Sequence, residues 1–286
     1  VGLGLPEAVL LFEEAGRALL PGPLVATHLA AGLVKGAAEG EEVVTAVAGD
    51  LAVAHLAEAD AVLVVGAEPP AGEATGAESL TGEALRAFVA AARPVRSMDP
   101  LTPLHSARAV AERAPAATER TPAHAGRFRF EAALLTAAEQ LGSAARTTEA
   151  AVQHAGSREQ FGSPVGAFQA VKHLCADMLA RTEPARAAVY AAAVTGDPVE
   201  IAAAKLLADE AAVRNARDCL QIHGGMGFTW EADVHLHLKR AWLRAASWLT
   251  GAGTEELLAA DLGAAGRLPR SSAAPGRPVR EAGGGG

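Results

Sequence analysis

From Phe130 to Leu249 apolar residues recur at helical spacing, and only short stop-and-restart signals interrupt them. Few architectures other than a helix bundle satisfy such a pattern. A first helix is predicted over Phe130 to Gln153, with Leu134, Leu135, Ala138, Leu141 and Val152 along it. Ser163-Pro164 reads as an N-cap followed by a proline at the first helical position. It is expected to open a second helix whose Phe168, Val171, Leu174, Cys175 and Met178 share one face. Gly196-Asp197-Pro198 then stops that helix and starts a third, which reaches Ile222. Thr229 is expected to cap a fourth, running to about Leu249 and ending at Gly251 and Gly253. Long helices joined by short connections pack as an antiparallel four-helix bundle.

The first part of the chain has a different rhythm. Leu5 to Val34 is helical with a break at Pro21-Gly22-Pro23. Between Glu42 and Val110 the period shortens, and strands are expected at Val43–Val47, Ala61–Gly66 and His105–Val110, with a short helix over Leu80–Ala92. A loop rich in Pro, Thr, Ala and Glu (Pro115 to Gly126) leads into the bundle. The fold class is therefore mainly α with a small β domain. Its expected divisions are 1–40 (helical), 41–126 (β), 127–262 (four-helix bundle) and 263–286, a Pro-, Arg-, Ser- and Gly-rich tail read as disordered.

Composition narrows the function classes. Half of the 286 residues are apolar, enough for a substantial core, and a net charge of −8 without a basic run argues against a nucleic-acid or anionic-membrane surface. With no charged-then-apolar leader and no apolar run of about 18 residues, neither secretion nor membrane spanning is expected. Cys175 and Cys219 stand in apolar helical surroundings without CxxC or zinc spacing, and read as reduced core thiols of a cytoplasmic protein. The chain opens at Val1 and not at methionine, which leaves room for an upstream segment.

Two polar clusters interrupt the bundle pattern. In SREQFGSPVGAFQAVKHLCADM, Ser157 to Met178, Arg158, Gln160, Phe161 and Gln169 mix charge, amides and an aromatic ring at a helix-to-helix junction. In QIHGGMGFTWE, Gln221 to Glu231, the pair Gly224-Gly225 lets backbone approach a bulky polar ligand. Singly, each residue has an ordinary reading: Arg158 as a cation at a helix C-terminus, Gln169 as a surface amide, the glycines as a helix stop. His223 reads as a hydrogen-bonded helix-end residue. His235 and His237, two apart on a helix, point to different faces, so no shared metal is expected.

Taken together, the two clusters resemble the C-terminal domain of the acyl-CoA dehydrogenases, flavoenzymes that desaturate acyl thioesters between the α and β carbons. The run R-x-Q-F-G at Arg158 and the Gln-x-x-Gly-Gly run at Gln221 carry the likeness. It is motif-specific over Glu131 to Leu249 and pattern-level over Leu5 to Val110. The resemblance implies that Arg158, Gln160 and Phe161 touch the pyrophosphate and adenosine of an FAD bound chiefly by a neighbouring subunit. It likewise implies flavin contact for Gln169, and an approach to FAD by Gln221, Gly224 and Gly225.

One family feature is displaced. Desaturation needs a carboxylate to take the α proton while hydride leaves the β carbon for the flavin. Counting from Gln221 to the family's usual glutamate arrives at Trp248, which cannot accept a proton. Glu255 and Glu256 come too late. In members with the base on the first bundle helix, the corresponding step lands on Ala132, beside Glu131; one residue turns a helical side chain by about 100°, so Glu131 is a candidate base only by a slip. The β region also looks shortened, with AGDLAVAHLAEADAVLVVG and RSMDPLTPL as its later parts, and the N-terminal helical domain is represented by its latter half.

These departures imply a companion subunit in an α2β2 acyl-CoA dehydrogenase, paired with a longer homologue that holds the base and serving an electron-transfer acceptor. A steroid-type acyl-CoA is the substrate class the resemblance suggests. Two alternatives stay open: an interaction scaffold without flavin, and a homotetramer that uses Glu131.

Overall fold

The structure, a computed structural model, describes residues 4–48, 52–65, 76–106 and 119–264. Two helices, α1 (Leu5–Arg17) and α2 (Leu24–Leu29), precede a β region. Its strands are β1 (Val44–Ala48), β2 (Val53–Ala54), β3 (Ala61–Val65), β4 (Gly76–Leu80), β5 (Arg93–Val95), β6 (Leu104–Ser106) and β7 (Glu119–His124), with α3 (Gly82–Ala91) between β4 and β5. β1 and β3 pair in parallel and β4 and β7 add antiparallel strands, giving the order β1-β3-β4-β7. β2, β6 and β5 form a second, antiparallel sheet. Alternation divides β3 between two cores: Ala61, Leu63 and Val65 pack toward the helices, while Val62 packs with Val47, Val53, Leu56, Leu80 and Phe88. The expected strand at 43–47, the strand at 61–66 as far as Val65 and the helix at 80–92 are thus present, while Gly66 lies outside the described residues. β7 replaces part of the expected loop, because it closes the free edge of β4. Of the strand expected over 105–110, Leu104–Ser106 is β6 and the remainder lies outside the described residues.

The bundle follows. α4 (Ala125–Ser157) leads through a two-strand hairpin, β8 (Glu159–Gln160) and β9 (Ser163–Pro164), into α5 (Gln169–Thr195). Next come α6 (Pro198–His223), a 3-10 segment (Gly224–Phe228), α7 (Val234–Ala245) and α8 (Gly251–Ala264). Asp197 caps α6 as the sequence suggests, its Oδ1 accepting from the N–H groups of Val199 (2.9 Å) and Glu200 (3.0 Å). Gly196, at φ 64°, closes α5 in the left-handed region.

Three helix boundaries differ from expectation. Ser163-Pro164 does not cap α5; Ser163 pairs with Gln160 across the hairpin, which holds both residues extended, and the helix starts at Gln169. Gln169 is accordingly the first residue of its helix and not a full turn inside it. Thr229 does not cap α7: its hydroxyl turns back to the Met226 carbonyl at 2.8 Å, and α7 starts at Val234. Gly251 opens α8 where a stop was expected.

Close approach fixes how α1 sits on α4. A Cβ on Gly16 would lie 2.0 Å from the Glu139 carbonyl oxygen, and one on Gly142 would lie 1.9 Å from the Glu13 carbonyl oxygen. The two glycines thus admit each other's backbone. Around the crossing, Leu134, Leu135, Leu141 and Ile201 are wholly or almost wholly buried, each contributing roughly 1.5–3 kcal/mol.

Buried polar groups set the order of the helices. Lys205 is fully buried; its ammonium pairs with Asp209 and donates to the Arg244 carbonyl at 3.1 Å. Gln140 donates to Asp209 (2.9 Å) and to the Ala241 carbonyl (3.0 Å), so one network ties α4, α6 and α7. Asn215 on α6 donates to Thr182 (2.9 Å), to the Met178 carbonyl (3.0 Å) and to Thr148 (3.1 Å), linking α5 and α4.

Candidate functional site

Three segments that carry the expected cofactor residues meet at one end of the bundle. α4 ends at Ser157, α5 begins at Gln169 and α6 ends at His223. The imidazoles of His154 and His223 stack at 4.1 Å, joining the last turn of α4 to that of α6. Beneath them Ala151, Ala155, Met178, Cys219, Leu220 and Ile222 form a separate small core. The two sequence clusters therefore stand side by side within one chain.

The hairpin presents the first cluster. The Arg158 N–H donates to the His154 carbonyl at 2.8 Å and its carbonyl accepts from Val165 at 2.7 Å, which anchors both feet of the loop. At the tip, Phe161 (φ 56°) and Gly162 (φ 79°) both have positive φ, as a two-residue I′ hairpin turn requires. Left-handed backbone costs a phenylalanine roughly 1–2 kcal/mol. Its ring is 92% exposed, touching Phe168 edge-on at 6.2 Å. A strained backbone that lifts an aromatic ring into solvent points to a partner for that ring.

The remaining cofactor residues are also open. Arg158, Gln160, Gln169, Gln221, Gly224 and Gly225 are all exposed. Gln169 Nε2 lies 2.9 Å from His173 Nε2. Gly224 adopts φ 63°, ψ −143°, a conformation open essentially to glycine alone, and its N–H returns to the Gln221 carbonyl. Nothing lies within 4 Å of where a Cβ would stand on Gly224 or Gly225, so this backbone is free to be approached. α5 begins without a side-chain cap, leaving N–H groups that suit an anion. An arginine, an uncapped helix start, bare glycine backbone and an exposed ring together fit a dinucleotide's phosphates and flat base.

Burial lowers the pKa of His154, and the neighbouring His223 and Arg158 push it the same way, so the stacked pair adds no positive charge at neutral pH through this ring. Its partner His223 donates from Nδ1 to the Cys219 carbonyl (2.8 Å), in keeping with a helix-end role. Cys175 and Cys219 are both free thiols, and burial drives Cys219 up to about 12. His235 and His237 do have different neighbours, Trp230 at 4.8 Å and Ser143 at 2.8 Å. The stacking of His154 was not anticipated, although its place four residues before Arg158 puts it on the same helix face. Nor were the exposed Met226, Phe228 and Trp230 that extend the face beyond the glycines, or Lys239 lying 4.8 Å over the Trp230 ring.

The position reached by counting from Gln221 holds an aromatic side chain. Trp248 has φ 64°, packs against Phe128 at 5.7 Å and lines a cavity of about 260 Å³ between α2, β1, α4 and the end of α7. Glu131 stands apart from that wall, its Oε1 bound to Arg127 Nε at 2.8 Å. The carboxylate that does reach the cavity is Glu139.

Residues 125–266 match the model of the acyl-CoA dehydrogenase C-terminal domain. Acyl-CoA dehydrogenase IpdE2 of Mycobacterium tuberculosis is 38% identical over 242 residues, covering 83% of this chain and 71% of the relative. Among solved structures, the Tcur3481-Tcur3483 steroid ACAD G363A variant superposes with a TM-score of 0.75 at 23% identity, over 93% of this chain and 82% of that one. The ChsE4-ChsE5 complex of Mycobacterium tuberculosis gives a TM-score of 0.71 at 20% identity, over 94% and 82%. Fold, motifs and relatives agree: the chain belongs to the acyl-CoA dehydrogenase family, whose cofactor is FAD.

Proposed function

We propose that this chain is the companion subunit of a heteromeric acyl-CoA dehydrogenase, completing the FAD site of a longer homologous subunit. The observation that carries the reading is a pairing of presence and loss. Arg158, Gln160, Phe161, Gln169, Gln221, Gly224 and Gly225 are exposed on segments that the stacked His154 and His223 join, and no other described residue covers them. The place of the usual base is taken by Trp248. A chain that kept only its own active site would have no use for the first without a carboxylate in the second. The names of two structural neighbours, a steroid dehydrogenase written as a pair and a two-component complex, support a heteromer and a steroid-type acyl-CoA.

In this assembly FAD supplies the acceptor for the hydride lost from the β carbon. Arg158 offers two parallel N–H donors to a phosphate, and the N-terminus of α5 adds backbone donors. Gly224 and Gly225 let the cofactor reach main chain that any side chain would screen. The exposed ring of Phe161 would lie against an apolar face of the nucleotide and keep water from it. The carboxylate that removes the α proton belongs to the larger subunit, which passes its electrons on to a transfer acceptor.

Co-expression with the longer homologue tests the assignment. Arg158→Ala should leave both subunits folded and associated while flavin absorbance near 450 nm falls several-fold, since a phosphate contact by a charged donor contributes about 1.5–3 kcal/mol. Undiminished flavin would remove the trans contact. A lone chain that purified yellow and bleached with an acyl-CoA would replace it with a self-sufficient enzyme. A stable pair without flavin would favour the scaffold.

A further inference from the structure

The two cofactor clusters are seated on two imidazole-bearing residues. The His154 carbonyl accepts the Arg158 N–H at 2.8 Å, which roots the outgoing arm of the hairpin. The other arm returns at Gly166, where a Cβ would stand 2.9 Å from the Ala155 carbonyl oxygen, so it rests on the same last turn of α4. On α6, His223 directly precedes Gly224. The loop beyond folds back so closely that a Cβ on Gly227 would meet the His223 Cβ at 3.1 Å and the Leu220 carbonyl oxygen at 3.0 Å. The two rings, both half-buried, stack at 4.1 Å with their planes 25° apart. Each turn that carries a cluster thus meets the other through an imidazole face.

Any two flat rings could hold that spacing, but imidazoles also respond to protons. His223 Nδ1 donates to the Cys219 carbonyl at 2.8 Å, so a further proton on this ring goes to Nε2. Burial lowers the His154 pKa, and His223 and Arg158 act in the same direction. The neighbouring thiols carry no charge: Cys219 on α6, its Sγ 3.6 Å from His223 Nδ1, is raised to about 12, and burial raises Cys175 on α5 as well. Arg146 on α4, Asp218 on α6 and Asp233, just before α7, act on Cys219. With no carboxylate among the charges acting on His154, two imidazolium rings face to face would repel without relief. We propose that His154 and His223 are positioning residues forming a proton-sensitive joint: stacked while at least one ring is neutral, they hold the arginine hairpin beside the glycine pair, and they part when both are cations. Because the stacked His154 resists its proton, the joint is closed above the ordinary histidine pKa of about 6.5 and weakens as pH falls below it. Its effect on the cofactor rests on the trans flavin contact proposed above.

Two readouts test the joint. NMR of labelled histidine in the full chain, together with any subunit that co-purifies, should show ring-current shifts of His154 and His223 that vanish together between about pH 7 and pH 5. In the co-expressed pair, the dissociation constant for FAD should rise about tenfold over the same range. His154→Phe, which keeps a flat ring and takes no proton, should hold its pH 7 affinity throughout. His154→Ala, with its fold checked by circular dichroism, should bind FAD about tenfold more weakly already at neutral pH, because the spacing is no longer held. Ring-current shifts that persist in full at pH 5 would overturn the proposal, and so would equal pH profiles for the unaltered and His154→Phe pairs. A pair that holds no FAD at any pH would strike down the trans contact instead, and the ring-current shifts would then decide the joint by themselves.

Discussion

Gly224 separates backbone from side-chain effects. At φ 63°, ψ −143° there is room for a methyl group but no relaxed conformation for one, so Gly224→Ala acts through strain of roughly 1–3 kcal/mol. The expected outcome is a lowered Tm together with weaker flavin retention in the co-expressed pair; an unaltered protein on both counts would deny the glycine its role. His237 makes a different point. Burial, chiefly, pulls its pKa from an ordinary 6.5 to about 4, as its ring lies against Ser143. The unfolded chain takes up this proton near pH 6.5 and the folded one only near pH 4, so stability is intact above 6.5 and is lost as pH falls through that window. The loss is about 3 kcal/mol at 1.36 kcal/mol per unit. Urea unfolding from pH 7 to pH 4 should therefore decline less steeply in His237→Gln than in the unaltered chain, and parallel curves would contradict the assignment.

At the scale of elements, the crossing of α1 and α4 is the most exacting contact. Gly142→Ala places a methyl group against the Glu13 carbonyl and should cost about 1–3 kcal/mol, measured by denaturant midpoint, because neither backbone can retreat from a packed core. The elements themselves were unevenly legible. Asp197 and Gly196 act locally, through hydrogen bonds and φ that the residues dictate, and the sequence placed that junction correctly. Ser163-Pro164 has the same local grammar, yet pairing with Glu159-Gln160 across Phe161-Gly162 overrides it. Strand pairing is a relation between segments, which a cap rule does not see. β4 and β7 were missed for the same reason, since each is a strand by virtue of its neighbour. Two motifs named the residues of the candidate site. Its coherence was not, because the stacking of His154 on His223 is a tertiary contact. Glu139 escaped notice because a carboxylate inside a helix gives no local sign of facing a cavity.

For the whole molecule, one core runs from α1 through β1 and β3 into α4, α5 and α6, so the β region is not an appendage to the bundle. No helix among the described residues is long and apolar enough to cross a membrane. Among the described residues, one end carries Phe161, Phe228 and Trp230 exposed around polar groups. The buried ammonium of Lys205 bears on that end from a distance. Were α6 to slide one turn along α4, Asp209 would lose the Gln140 amide and Lys205 the Arg244 carbonyl, so sliding is opposed although the helices are otherwise lined with alanine. The bundle is consequently a gauge block: the gap between its arginine hairpin and its glycine pair has one length, and whatever docks there must be cut to it.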